Sequence, residues 1–121
     1  MGMFGANFHI LEAALAARER LQTTHAANIA NADTPNYSAD TRDFSYFLQE
    51  EMQRLGTSTT EHGINIPVRH RQGRYRLDGN SVDMQREITR MTENQLMHEL
   101  TLRLIKGKLN NLARAIREGG R

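Results

Sequence analysis

The sequence predicts an all-α protein in which long N- and C-terminal helices pair as a coiled-coil-like bundle, with a short second helix and a mostly irregular central loop between them. Three observations carry that prediction. Residues 8–32 are rich in Ala and hold neither Pro nor Gly, which favours an uninterrupted helix. Toward the other end, apolar side chains recur at alternating steps of four and three residues, the mark of a helix seam. Between these segments the periodicity fades, and residues 56–80 gather Gly, Thr, Ser and Arg instead.

In the first helix Phe4, Phe8, Leu11, Leu15, Gln22 and Ile29 fall near one face, with Arg18 and His25 completing a narrow and partly polar stripe. Asp33-Thr34-Pro35 ends the helix, because Pro35 disfavours the helical region at Thr34 and has no N–H to donate. Asn36 suits the turn that follows, since Asn tolerates positive φ. A second helix is predicted from about Thr41 to Leu55, with Phe44, Phe47, Leu48, Met52 and Leu55 on one side and Gly56 as its C-terminal stop. The central loop then carries Pro67 and a basic run at Arg69, His70, Arg71, Arg74 and Arg76.

Asp78-Gly79 marks a turn, and Asn80 or Ser81 can cap a final helix whose first turn carries Asp83 and Glu87. That helix runs about 36 residues to Arg117, roughly 54 Å, before Gly119-Gly120. Its seam is Met84, Ile88, Met91, Gln95, His98, Leu102, Ile105, Leu109, Leu112 and Ile116. A second cluster, Leu96, Met97, Leu100 and Leu104, centres roughly opposite. A helix apolar on two opposed sides needs partners on both. The seam through Ile105 and Leu109 is expected to meet the N-terminal helix, and the Leu96–Leu104 side a neighbouring subunit. Residues 1–121 thus form one domain: helix and turn over 1–37, a short helix over 38–56, a loop over 57–80 and the C-terminal helix over 81–121.

Composition limits what this domain can do alone. Only 38% of its 121 residues are apolar and Trp is absent, so it has little with which to build a broad core. Its terminal helices are therefore expected to be largely disordered in the free chain, with fast amide exchange over residues 84–116, and to order on assembly. Sixteen basic against 14 acidic side chains give a net charge of +2, a weak long-range field despite a pI near 9.4. The absence of Cys excludes a disulfide framework and a Cys-based zinc site. The N-terminus lacks the basic and apolar regions of a cleaved secretory signal. Gly2 is not read as a myristoylation site, because Ala6 stands where that motif wants Ser or Thr.

Catalysis has no candidate residues. The five His, at 9, 25, 62, 70 and 98, include no pair at the spacing that sets two metal ligands on one helix face. Asp78-Gly79-Asn80-Ser81-Val82-Asp83 begins like a calcium loop but places Val82 where a ligand is needed. No nucleophile elbow and no Gly-rich phosphate loop is present, so no cofactor, metal or small-molecule substrate is expected. The run Arg69–Arg76, with Tyr75 as a stacking ring, supports a second reading, a helical nucleic-acid-binding protein, although a solvated loop is the simpler one.

The segment Asn28-Ile29-Ala30-Asn31-Ala32-Asp33-Thr34-Pro35-Asn36-Tyr37 closely resembles the signature that follows the first helix in bacterial flagellar rod and hook proteins. Asn36 replaces the usual Gly there, a change the turn accepts because Asn also visits the left-handed region. Arg42-Asp43-Phe44, the run Leu77 to Met84, and Glu87, Asn94 and Leu96 are similar to the proximal rod members of that family. The resemblance covers about residues 8–55 and 77–117, and the central loop looks shorter than usual. It implies terminal helices paired in the inner layer of a helical rod, and export by the flagellar type III apparatus. The implied partners are copies of itself, other rod proteins and the adaptor that joins the rod to the membrane ring. The residues expected at assembly contacts are Leu11, Leu15, Asn28, Ile29, Asn31, Thr34, Pro35 and Tyr37 from the first segment. From the last helix they are Ile88, Met91, Leu96, Leu100, Leu102, Leu104, Ile105, Leu109, Leu112 and Ile116.

Overall fold

The computed structural model describes residues 2–56, 77 and 79–119, with side chains in the first helix from Phe8 onward. The predicted central loop and its basic run lie largely outside these residues. The described chain consists of α1 (Gly2–Ala30), α2 (Phe44–Arg54) and α3 (Met84–Gly119). The all-helical class and the pairing of the terminal helices are as the sequence predicts. Helix α1 starts earlier than Phe8, at Gly2, and runs through Gly5.

Local chemistry sets the remaining ends. Asp43 takes extended backbone, φ −102° and ψ −178°, and its Oδ1 accepts from the Tyr46 amide at 3.1 Å, so α2 starts at Phe44 and not at Thr41. Its far end is closed by Gly56 at φ +75°, whose N–H donates to the Gln53 carbonyl at 3.0 Å. The cap of α3 departs from the sequence reading. Asp83, not Asn80 or Ser81, accepts from the Arg86 amide at 3.3 Å through its side chain. Its carbonyl accepts from the Glu87 amide at 2.9 Å. Asn80 and Ser81 are committed elsewhere, as described below.

Helix α1 is the hub: α2 and α3 each pack on it and not on each other. The α1–α3 pair is antiparallel, because His25 meets Glu87 while Glu19, further back, meets His98. The apolar core is small. Ala17, Leu21 and Phe47 form its buried cluster, with Phe44, Tyr46 and Leu48 packed around it. Phe47 is 1% exposed and lies edge-on to Tyr46 at 5.6 Å, with the Arg20 and Arg42 guanidinium carbons 4.8 and 5.0 Å from its ring centre. Burying such a ring stabilises by roughly 1.5–3 kcal/mol, so this residue carries a large share of α2 docking. Arg20 also holds α2 from α1 by ion pairs to Glu50 at 2.7 Å and the buried Glu51 at 3.3 Å.

Elsewhere the interior is polar. Among the described residues eight polar or charged side chains are buried against seven apolar ones, and three of those seven are Ala. Among the described residues every buried side-chain nitrogen and oxygen has a hydrogen-bond partner, so the fold is specified by direction more than by apolar area.

Candidate assembly site: the signature corner and the flanks of α3

The signature segment is a corner that joins the end of α1 to the start of α3. Asn28, fully buried on the last turns of α1, works in two directions. Its Nδ2 donates to the Asp40 carbonyl at 3.0 Å, and its Oδ1 accepts from the Asp40 amide at 3.0 Å and the Tyr37 hydroxyl at 3.1 Å. One side chain thereby folds residues 37–40 back onto the helix. Asn31 closes the turn, donating to the Ala27 carbonyl at 2.8 Å and accepting from the Thr34 hydroxyl at 3.2 Å. Asn36 takes φ +62°, the left-handed conformation its sequence position calls for.

The second motif, Gly79 to Asp83, docks into this corner. The Asn80 side chain is completely buried, and its Nδ2 reaches the carbonyls of Asn31, Ala32 and Thr34 at 2.8, 3.1 and 2.7 Å. Those carbonyls lie just past the end of α1, where the Asn31 and Thr34 carbonyls also accept turn bonds from the Thr34 and Tyr37 amides, so Asn80 clasps the turn that closes α1 from far along the chain. Its Oδ1 accepts from the Val82 amide at 2.7 Å. Ser81 adds two more links, its amide donating to the Tyr37 carbonyl at 3.1 Å and its hydroxyl accepting from the Ala39 amide at 2.8 Å. Gly79, at φ +79°, packs so closely on Asn36 that a Cβ would collide with it.

Beyond the corner α3 meets α1 through a polar column spaced seven residues apart: Glu87, Asn94 and Thr101, all buried. His25 Nδ1 donates to the Glu87 carboxylate at 2.8 Å, both groups being almost fully enclosed. Burial pushes the Glu87 carboxyl up, but hydrogen bonds from His25 and Asn28, with the charges of His25 and Arg90, hold it below the usual range. Asn94 donates through Nδ2 to the Arg18 carbonyl at 2.8 Å and to Gln22 Oε1 at 2.9 Å, and accepts from Arg18 Nη1 at 3.3 Å. The Arg18 guanidinium also stacks over Phe44, 3.6 Å from the ring centre.

This column corrects the expected seam. At about 100° per residue, the predicted apolar seam centres roughly 60° to one side of it. The Leu96–Leu104 cluster centres roughly 105° to the other side. Only the inner members, Met91, His98, Leu102 and Ile105, are half-buried beside α1. Ile88, Leu109, Leu112 and Ile116 are 47, 46, 37 and 66% exposed, so the stretch through Leu109 does not meet α1 as expected. The physical reason is hydrogen bonding: the polar partners on α1, Arg18, Gln22 and His25, pull the Glu87–Thr101 column inward. On the other flank Leu96, Met97, Leu100 and Leu104 are 58, 41, 42 and 58% exposed. Of the remaining expected residues, Leu11, Leu15, Ile29, Asn31 and Tyr37 are half-buried and Thr34 and Pro35 exposed, while Asn28 is enclosed within the chain.

Comparison with known proteins agrees with the corner. The flagella basal body rod protein family matches residues 8–37, which hold most of α1 and the signature turn. The flagellar basal body rod protein FlgB of Escherichia coli (strain K12) is 35% identical over 123 aligned residues, covering 88% of this chain and 89% of that protein. FlgB of Bacillus subtilis (strain 168) is 31% identical over 129, covering 98% and 99%. The chain belongs to the flagellar basal-body rod protein family. A third relative, FlgB of Aquifex aeolicus (strain VF5), is 35% identical over 96 residues, covering 74% of this chain and 76% of its own. These rod proteins lend no support to the nucleic-acid reading, whose basic run lies outside the described residues. No helix of this rod protein is long and apolar enough to cross a membrane, within the described residues.

Sequence reasoning misses two features of the rod protein. Asn80 and Ser81 look like a local cap, although their target lies some fifty residues earlier. The Glu87–Asn94–Thr101 column is visible as a seven-residue repeat of buriable polar groups, a signal the apolar periodicity outweighs.

Proposed function

We propose that this chain is a structural subunit of the proximal flagellar basal-body rod, polymerising through its terminal helices into the shaft between the membrane ring and the distal rod and hook. One observation supports this most directly: nine large apolar side chains of α3, on both sides of the polar column, remain exposed. Such surfaces mark interaction sites. Two different faces make head-to-tail contacts that propagate as a filament and do not close into a dimer. Copies of the same chain, other rod subunits and the adaptor at the membrane ring are the fitting partners. Delivery follows the flagellar type III route.

The test is Leu100→Asp, which puts a charge on an exposed position of the second flank. The expected outcome is a variant that folds and stays soluble but is absent from purified basal bodies. Normal incorporation would refute the role of this flank.

A further inference from the structure

We propose that Asn94 is the key that fixes the rotation of α3 on α1, and that it does so in order to keep both apolar flanks turned outward. The inference rests on the flanks being the surfaces that bind neighbours. A helix carrying the seam Met84 to Ile116 would bury more apolar area against the half-buried Leu11 and Leu15 of α1 if it rolled by roughly 60°. It does not roll, because three hydrogen bonds at one position oppose it.

Asn94 donates to the Arg18 carbonyl at 2.8 Å, and that acceptor is fixed to the α1 backbone, so it cannot follow a rolling helix. The bonds with Gln22 Oε1 at 2.9 Å and Arg18 Nη1 at 3.3 Å use the rest of the amide. Asn94 is 2% exposed, so water could not take over a hydrogen bond that a roll had broken. The residues seven before and seven after it act with it. Glu87 is clamped by His25 at 2.8 Å, and Thr101, buried and satisfied by the Met97 carbonyl at 2.8 Å, is small enough for close approach. A single buried Asn at an inward position is the best-attested device for fixing helix register at a cost in stability. Here it selects rotation, and what it withholds from the monomer is what assembly needs.

The chain has no Cys, so single engineered thiols report rotation cleanly. Gln95→Cys and Ile88→Cys sit on the first flank and Leu104→Cys on the second, all at exposed positions. Their labelling by a maleimide is measured on the free chain, in the Asn94 background and with Asn94→Leu. The expected result is labelling slowed on the order of fivefold at Gln95→Cys and Ile88→Cys, with Leu104→Cys unchanged, because only the first flank rolls inward. Unchanged rates at all three, or equal slowing at all three, would overturn the proposal. If Asn94→Leu detaches α3 and all three label faster, Asn94→Ser, which shortens the side chain without adding bulk, must still slow the first flank selectively. Its failure to do so also overturns it. Labelling of the free chain is independent of incorporation, so normal assembly of Leu100→Asp would undo the reading of the flank without deciding the role of Asn94.

Discussion

Replacing Asn80 by Ala removes a side chain that ties the end of α1 to the segment leading into α3, and its cost can be worked out bond by bond. Four backbone groups lose a partner: the carbonyls of Asn31, Ala32 and Thr34 and the amide of Val82. Thr34 is exposed and Asn31 half-buried, so water replaces much of what those two lose. Ala32 and Val82 are each only 3% exposed, so water cannot readily replace the bond that the Ala32 carbonyl and the Val82 amide each lose. A buried group that loses its bond costs about 1–3 kcal/mol, so two of them put the cost of the substitution at roughly 2–6 kcal/mol. Against a typical total of about 5–15 kcal/mol, that is a large fraction for a chain with so small a core. Urea unfolding followed by far-ultraviolet circular dichroism measures it. Asn80→Asp should be at least as damaging. It keeps an acceptor for Val82 but loses the donor, and it sets a negative charge against the carbonyl end of α1. A loss below about 0.5 kcal/mol for Asn80→Ala would show that the corner is held by Asn28 and Ser81 alone.

Further outcomes follow from other parts of the fold. The folded Glu87 carboxyl lies below its ordinary value of 4.5, so its contribution to stability is present above that value and lost as pH falls through the lower folded one. Urea midpoints taken across that acidic window should fall less steeply in Glu87→Gln, and an unchanged slope would contradict the clamp with His25. Phe47→Ala should cost about 3–5 kcal/mol, measured in the same way, since the ring is buried among α1 and α2 side chains. In place of the fast exchange over 84–116 expected from composition, the bonds between α1 and α3 call for slow amide exchange from Glu87 to Ile105 and fast exchange beyond Lys106, where burial fades; uniform fast exchange over 84–116 would mean that α1 and α3 do not pair in the free chain. Leu100→Asp should shift stability by no more than about 0.5 kcal/mol, as the position is exposed.

Much of this architecture is legible in the sequence because it depends on local rules. Pro35 and Gly56 stop helices by their own backbone chemistry, and Phe44, Phe47 and Met52 pattern α2 at helical spacing. The turn at Asn36 follows from the conformation Asn tolerates. What the sequence does not reveal depends on partners distant along the chain. Asn80 looks like an ordinary cap until the carbonyls of α1 are brought to it. The face that α3 turns inward escapes for a related reason: apolar periodicity predicts burial only where burial follows hydrophobicity. Where a facing helix offers Arg18, Gln22 and His25, hydrogen bonds decide the rotation instead.

The interior of alanines and hydrogen bonds has a calorimetric consequence. Heat capacity on unfolding comes from apolar surface newly exposed to water, typically about 12–15 cal/mol/K per residue, and polar exposure subtracts from it. A chain that keeps most leucines of α3 outside should fall below that range as a monomer and show an unusually flat stability curve. The missing heat capacity is deferred and not lost. It should reappear as a large negative change when the flanks of α3 are covered, so that subunits join with the thermal signature that other proteins show when they fold.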